Sequence, residues 1–140
     1  MIQDFTKAAD GLPGIELRLP TLINGVLDGQ LSWEALVRIN SYAPARLFGL
    51  YPNKGEIACG FDADIVILDD KKELFVSGSG DLHMQCDHTP FVGMRYRCLP
   101  DTVMVRGQVV IEGGKHTGVA HGRYVRRHME KAILKSSRSL

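Results

Sequence analysis

Hydrophobic positions change their period partway along the chain. Between Ile15 and Leu50 they recur every three or four residues; from Ile57 onward they come in short β-branched runs separated by turns. Ile15, Leu19, Leu22, Ile23 and Val26 predict a core-facing helix. It starts near Arg18, so that Pro20 falls in the first turn, and it stops at Asn24-Gly25 or Asp28-Gly29. Ser32 has the character of an N-cap, with Leu31 and Leu36 placed to staple the entry of a second helix that runs to about Tyr42. Pro44 then opens a further short turn, Ala45 to Phe48, ended by Gly49.

The period switches in the stretch Gly55 to Asp69, GEIACGFDADIVILD. The run Ile65-Val66-Ile67-Leu68 predicts a buried strand, closed by Asp69-Asp70, and Lys71 to Val76 predicts a second one. Residues 81–100 carry Pro90, Gly93 and Pro100 without clear periodicity and read as an irregular connection. Thr102 to Val105 and Gln108 to Ile111 flank Arg106-Gly107 as a hairpin, with Gly113-Gly114 as its stop. Gly118 to Gly122 reads as a linker, and Tyr124 to Leu134 can form a basic helix. The expected class is α+β: loop and short helices over 1–50, strands over 51–118, and a basic tail over 119–140.

At 140 residues and 44% hydrophobic composition the chain has the makings of one core. A net charge of +1 gives no bulk attraction to nucleic acid or to an acidic partner. The basic tail, from Arg123 to Arg138, lacks the interleaved aromatics of a single-strand binder, so nucleic acid is not an expected partner. Three cysteines, Cys59, Cys86 and Cys98, form no obvious disulfide framework and fit a reducing compartment, with cytoplasm the default. No signal-like start and no long apolar run point to secretion or to a membrane.

Candidate chemistry is sparse. His83-Met84-Gln85-Cys86-Asp87-His88 packs four potential metal ligands into six residues, but a structural zinc site normally needs a second pair, and the segment reads first as a solvated loop. Asp62 and Asp64 could share one face of a strand as an acid/base pair or a cation site, although acids at strand ends commonly serve as turn formers. No nucleophile elbow and no phosphate-binding glycine loop is present. Spacing alone therefore yields no active site.

Four stretches, taken together, resemble the C-terminal third of the cyclic amidohydrolases, in particular the hydantoinase and dihydropyrimidinase group, with allantoinase and dihydroorotase as cousins. They are Asp4 to Lys7 with Gly11 to Pro20 (GLPGIELRLP), Ser41 to Pro52 (SYAPARLFGLYP), Lys54 to Ala58 with Gly60 to Ile67 (GFDADIVI), and Thr89 to Gly93 followed by Val105 to Val110 (VRGQVV). The resemblance runs from about Asp4 to Arg127.

It implies that a complete relative is a (β/α)₈ barrel with a small β-sandwich, residues 15–50 being the last barrel helices and residues 56–112 sandwich strands. In that family two divalent metals, usually zinc, held by histidines, a carboxylated lysine and an aspartate, generate the hydroxide that opens a cyclic amide. None of those ligands can be matched in this chain. The family's metal-binding aspartate is expected to precede Met1, so neither catalytic nor metal residues carry over. Relatives often contact the substrate ring through the backbone of an asparagine just before the glycine of GLPG; here that position is Asp10, the one substrate-binding residue the resemblance transfers.

The expected role is structural, within a homo-oligomer completed by an N-terminal barrel portion. A stand-alone scaffold module derived from the same family is the alternative, and which cyclic amide a parent enzyme would take is not legible.

Overall fold

The computed structural model describes residues 4, 6, 11 and 13–128. Helices come first and a four-stranded antiparallel sheet follows, an α+β arrangement. Helix α1, Arg18–Leu27, begins and ends as its spacing predicts, with Pro20 buried in the first turn. Helix α2, Trp33–Val37, starts at Ser32, whose Oγ accepts the Ala35 N–H at 3.1 Å.

One helical run replaces the separate turn expected at Pro44. Helix α2 passes through a π-helical turn, Arg38–Tyr42, directly into α3, Ala43–Leu47. Proline lacks the N–H that would bond Asn40, and its ring crowds that carbonyl. Widening the preceding turn, with the Ala43 N–H bonding the Arg38 carbonyl, accommodates both defects without a break.

The sheet corrects three expectations. Residues 65–68 and 71–76 belong almost entirely to one strand, β1, Ile65–Phe75. Between Asp69 and Glu73 this strand carries three residues where its partner carries only Cys98, and the Asp69 carboxylate takes up the slack by accepting the Lys71 N–H at 2.9 Å. The irregular connection ends early, because β2 spans Arg95–Val105 straight through Pro100. Pro100 faces Leu68 beside a register shift at Asp101, the kind of place where a strand tolerates a missing N–H. Finally, Gly113-Gly114 is a hairpin turn: β3, Gln108–Glu112, returns through it as β4, Lys115–His116.

The β2–β3 hairpin forms as predicted. Arg106 and Gly107 both take positive φ, 48° and 77°, which suits the twist of the flanking strands.

Helix α1 lies on β2. Tyr96 and Cys98 point to the same face of β2; Leu17 packs with Tyr96, and Ile23 packs with Cys98 and Leu36. Asn24 at the helix centre treats β2 as a neighbouring strand would. Its amide donates to the Arg95 carbonyl at 2.8 Å, and its carbonyl accepts the Arg97 N–H at 3.2 Å.

A charged clamp ties the far end of the sheet to the turn after α3. Lys54 reaches both Asp62, at 2.9 Å, and Asp64. The other oxygen of Asp64 accepts the Arg106 N–H of the hairpin turn at 2.8 Å. Beside it Tyr51 meets Tyr42 and Phe61 edge-on, with the Arg46 guanidinium 4.8 Å from the Tyr51 ring centroid. Burial works to lower the Lys54 pKa, but the two aspartates outweigh it and raise it above 10.5; the Lys54 ammonium holds Asp62 below the usual carboxylate range.

Residues 119–128 carry no helix. They run back extended over this cluster, with Arg106 donating to the His121 carbonyl and the His128 N–H donating to the Gly49 carbonyl at 2.7 Å. The rest of the predicted basic helix lies outside the described residues.

Two outcomes follow from the clamp. Because Asp62 has a lowered folded pKa, its contribution is complete above the unfolded value of about 4 and is lost as pH falls through the folded one. Lys54 acts in reverse, contributing fully below its unfolded value and losing that contribution as pH rises through the raised one. Hydrogen-exchange protection of the Val66 and Met104 amides should therefore hold through neutral pH, fall under acid, and show a shallower acid limb in Lys54→Met. Gly55, with φ of 109°, lies where a Cβ would meet the Ala45 Cβ at 2.7 Å. Gly55→Ala should cost at least about 2 kcal/mol, read as lost protection across α3 and the β2–β3 hairpin.

Candidate functional site

Among the described residues two places gather chemically capable side chains. The first is the clamp. Asp62 and Asp64 do converge, as one reading of the sequence has it, but they converge on Lys54, so the cation between them is an internal ammonium. Neither carboxylate is left to act as an acid or base. Asp69 bonds its own strand, as a turn former does. An open hollow of about 350 Å³ lies next to the clamp, lined by Glu56, Ile57, Cys59, Phe61, Asp62 and Ile65 among others. It holds apolar surface and no convergent set of polar groups.

The second place is the loop between β1 and β2, residues 77–94. Its base closes through paired bonds, Val76 N–H to the Met94 carbonyl at 3.0 Å and Gly93 N–H to the Val76 carbonyl at 2.8 Å. Asp81 folds its first turn by accepting from Ser77 and Gly78, bonds that hold its carboxyl low. Leu82, Met84 and Phe91 face the core around Tyr96. The intervening polar residues are thereby left outside.

Two contacts lay this loop on the segment that leads into α1. His83 bonds Glu16 twice, through its backbone N–H at 2.8 Å and its ring Nδ1 at 2.7 Å, and Gly14 sits against the Phe91 ring. His88 is held within the loop, its Nδ1 lying 3.0 Å from Asp87 and 3.3 Å from the Cys86 sulfur. The hydrogen bond to His88 lowers the Asp87 carboxyl. Sequence reasoning saw the cluster of ligand types but could not see that His83 and His88 part company.

Asp10, the substrate-binding position that the resemblance transfers, lies outside the described residues. Cys98 is a packed thiol, pushed up by burial and by the nearby Asp70 and Asp69, and is not poised for attack. No helix among the described residues is long and apolar enough to cross a membrane.

A two-metal hydrolytic site does not fit the donors present. Such a site needs several imidazoles around a shared carboxylated lysine, and no His-x-His occurs in the sequence. His83 is engaged with Glu16, the His116 Nδ1 accepts the Gly118 N–H at 2.9 Å, and Lys54 is committed to two aspartates. Among the described residues the one group of three mixed donors, Cys86, Asp87 and His88, comes from consecutive positions of a single loop. Hydrolysis through two metals cannot be derived from these side chains.

Comparison with known proteins agrees with the order of helices, sheet and loops. The profile of the Amidohydrolase family matches residues 14–110. The chain is 34% identical over 129 residues to a D-hydantoinase of Ralstonia pickettii, covering 91% of this chain and 28% of that protein. It is 38% identical over 126 residues to a D-phenylhydantoinase of Escherichia coli, with 89% and 27% covered. Among solved structures, a D-hydantoinase from a Bacillus species superposes with a TM-score of 0.83 at 40% identity, over 91% of this chain and 28% of that one. A dihydropyrimidinase from Brevibacillus agri gives 0.82 at 40% identity, over 89% and 27%. The chain thus spans little more than a quarter of the length of these relatives. By profile, sequence and structure alike, it belongs to the amidohydrolase family.

Proposed function

We propose that this chain is the C-terminal portion of a metal-dependent cyclic-amide hydrolase of the hydantoinase and dihydropyrimidinase type, contributing structure and subunit contacts. Hydrolysis then requires a barrel portion that carries the metals. The observation that carries this reading is apolar surface left open on two sides of the chain.

On the helical side Trp33, Val37, Ile39, Leu47 and Phe48 are exposed, Leu47 to 60% and Phe48 to 59%. Trp33 and Val37 stand one turn apart on α2, and Leu47 and Phe48 stand together at the end of α3, so open apolar surface occurs at both ends of the 33–48 run. On the sheet side β1 is an edge strand, and Val66 and Ile67, which alternate between its two faces, are both about half exposed. An open edge of 11 residues with apolar side chains on both faces is a surface for pairing and packing. Each such side chain would contribute about 1.5–3 kcal/mol on full burial.

A barrel accounts for the helical face, and N-terminal strands of a sandwich account for the sheet. Residues 15–50 are then its last helices, and two divalent metals of the zinc class are held by groups on the complementary portion. What this chain brings nearest the chemistry is the segment after Asp10, laid against the 77–94 loop through Gly14 and Glu16. A homo-oligomer in the cytoplasm belongs to the same reading.

Complementation tests it. The chain alone should not open hydantoin or dihydrouracil with zinc present. Co-expression with the Ralstonia pickettii D-hydantoinase shortened by its matching C-terminal quarter should yield a co-purifying complex, and Leu47→Asp with Phe48→Asp should abolish it. Zinc-dependent turnover by the chain alone would overturn the proposal. A sharp unfolding transition in a defined oligomer of this chain, without affinity for the shortened hydrolase, would favour the scaffold alternative.

A further inference from the structure

The turn Met84 to His88 lies within the 77–94 loop but makes neither of its contacts to Gly14 and Glu16, which come from Phe91 and His83. Its fold is fixed at the start: Leu82 and Met84 pack into the core, and the Cys86 N–H closes a tight turn on the Met84 carbonyl at 2.9 Å. Asp87 and His88 are exposed beyond this turn, with Cys86 half-buried beside them. We propose that Cys86, Asp87 and His88 form a binding site for a divalent cation of borderline to soft character, of the zinc class, independent of any hydrolytic metals.

Spacing is the first reason. Zinc bonds sulfur at about 2.3 Å and nitrogen or oxygen at about 2.0–2.2 Å, so two ligands on adjacent corners of its tetrahedron lie about 3.3–3.6 Å apart. Here the Cys86 sulfur is 3.3 Å from the His88 Nδ1, that nitrogen is 3.0 Å from the Asp87 carboxylate, and one ligand atom from each residue falls within 4.8 Å of the others. Two of the three donor pairs, those that share the His88 nitrogen, already stand near tetrahedral-edge distances, and the third is within 4.8 Å.

Donor chemistry is the second reason. A thiolate, an imidazole and a carboxylate suit zinc, whereas magnesium and calcium prefer all-oxygen shells. Thiolate and carboxylate together offset the charge of a divalent ion. Coordination replaces the thiol hydrogen by the metal, and the released proton passes to solvent. Three protein ligands leave the fourth position to water. With Asp87 and His88 exposed, such a site exchanges its ion with solvent, and occupancy cross-links the loop turn reversibly.

The test uses zinc chloride titrated into the reduced full-length chain, with cobalt(II) as the visible stand-in. Expected are one saturable zinc per chain, proton release on binding, and a thiolate-to-cobalt absorption band. Cys86→Ser should remove the band, and His88→Ala should weaken binding by at least about tenfold. Cys59→Ser, which removes the exposed thiol, and His83→Ala, whose ring is held by Glu16, should leave binding unchanged. Absence of saturable binding overturns the proposal. So does binding that survives Cys86→Ser together with His88→Ala, or that is lost on removing Cys59.

Discussion

Packing of α1 across β2 is the contact on which the rest of the structure depends. Leu17, Ile23, Tyr96 and Cys98 are buried within it, and both hydrophobic clusters are organised around them. Burial alone would allow the helix to slide along the strand. The bonds of Asn24 to the Arg95 carbonyl and the Arg97 N–H fix its position, because they use backbone groups on the side of β2 away from β1. Once α1 is fixed, the 77–94 loop finds Glu16 and Gly14, and α2 finds the far side of Ile23. The clamp at Lys54 then closes the opposite end.

Where local chemistry decided the outcome, the sequence was legible. Ser32 capped its helix, Pro20 took the first turn of α1, and Arg106-Gly107 made the hairpin, each for reasons contained in a few adjacent residues. What could not be read locally was settled by strand pairing. Asp69-Asp70 looks like the end of a strand after Ile65 to Leu68, yet β2 pairs on both sides of the surplus residues, which β1 absorbs in a bulge. Pro100 looks like a strand breaker until Asp101 is seen to shift the register beside it. Cys98 carries φ of 57° opposite the β1 bulge, a left-handed conformation that nothing in its own sequence announces.

Candidate chemistry divided in the same way. The nearness of Asp62 to Asp64 could be read from their spacing, whereas Lys54, which decides what that pair does, lies eight residues upstream across a turn. Likewise, the ligand types between His83 and His88 were visible at once, but their partition between a docking contact to Glu16 and a separate triad depends on which neighbours the core draws in. The family was legible from motif order, and among those motifs KGEIA with GFDADIVI, and VRGQVV, hold turns and strand entries. Gly55 is one such case: its positive φ and its close approach to Ala45 leave room for no other side chain.

An amphipathic helix of a self-sufficient domain turns its apolar face inward and its polar face to water. Here the 33–48 run is apolar on two sides. Leu36 and Ala45 point into this chain, while Trp33, Val37, Leu47 and Phe48 point away from it. Strand β1 repeats the pattern, giving Leu68 and Leu74 to the clusters on α1 and leaving Val66, Ile67 and Phe75 open. Apolar residues on both sides of an element are the mark of a middle layer, since an outer layer gains nothing by exposing a second apolar face. On the proposed reading helices and sheet are therefore interior layers, each covered by a further layer of the complete hydrolase.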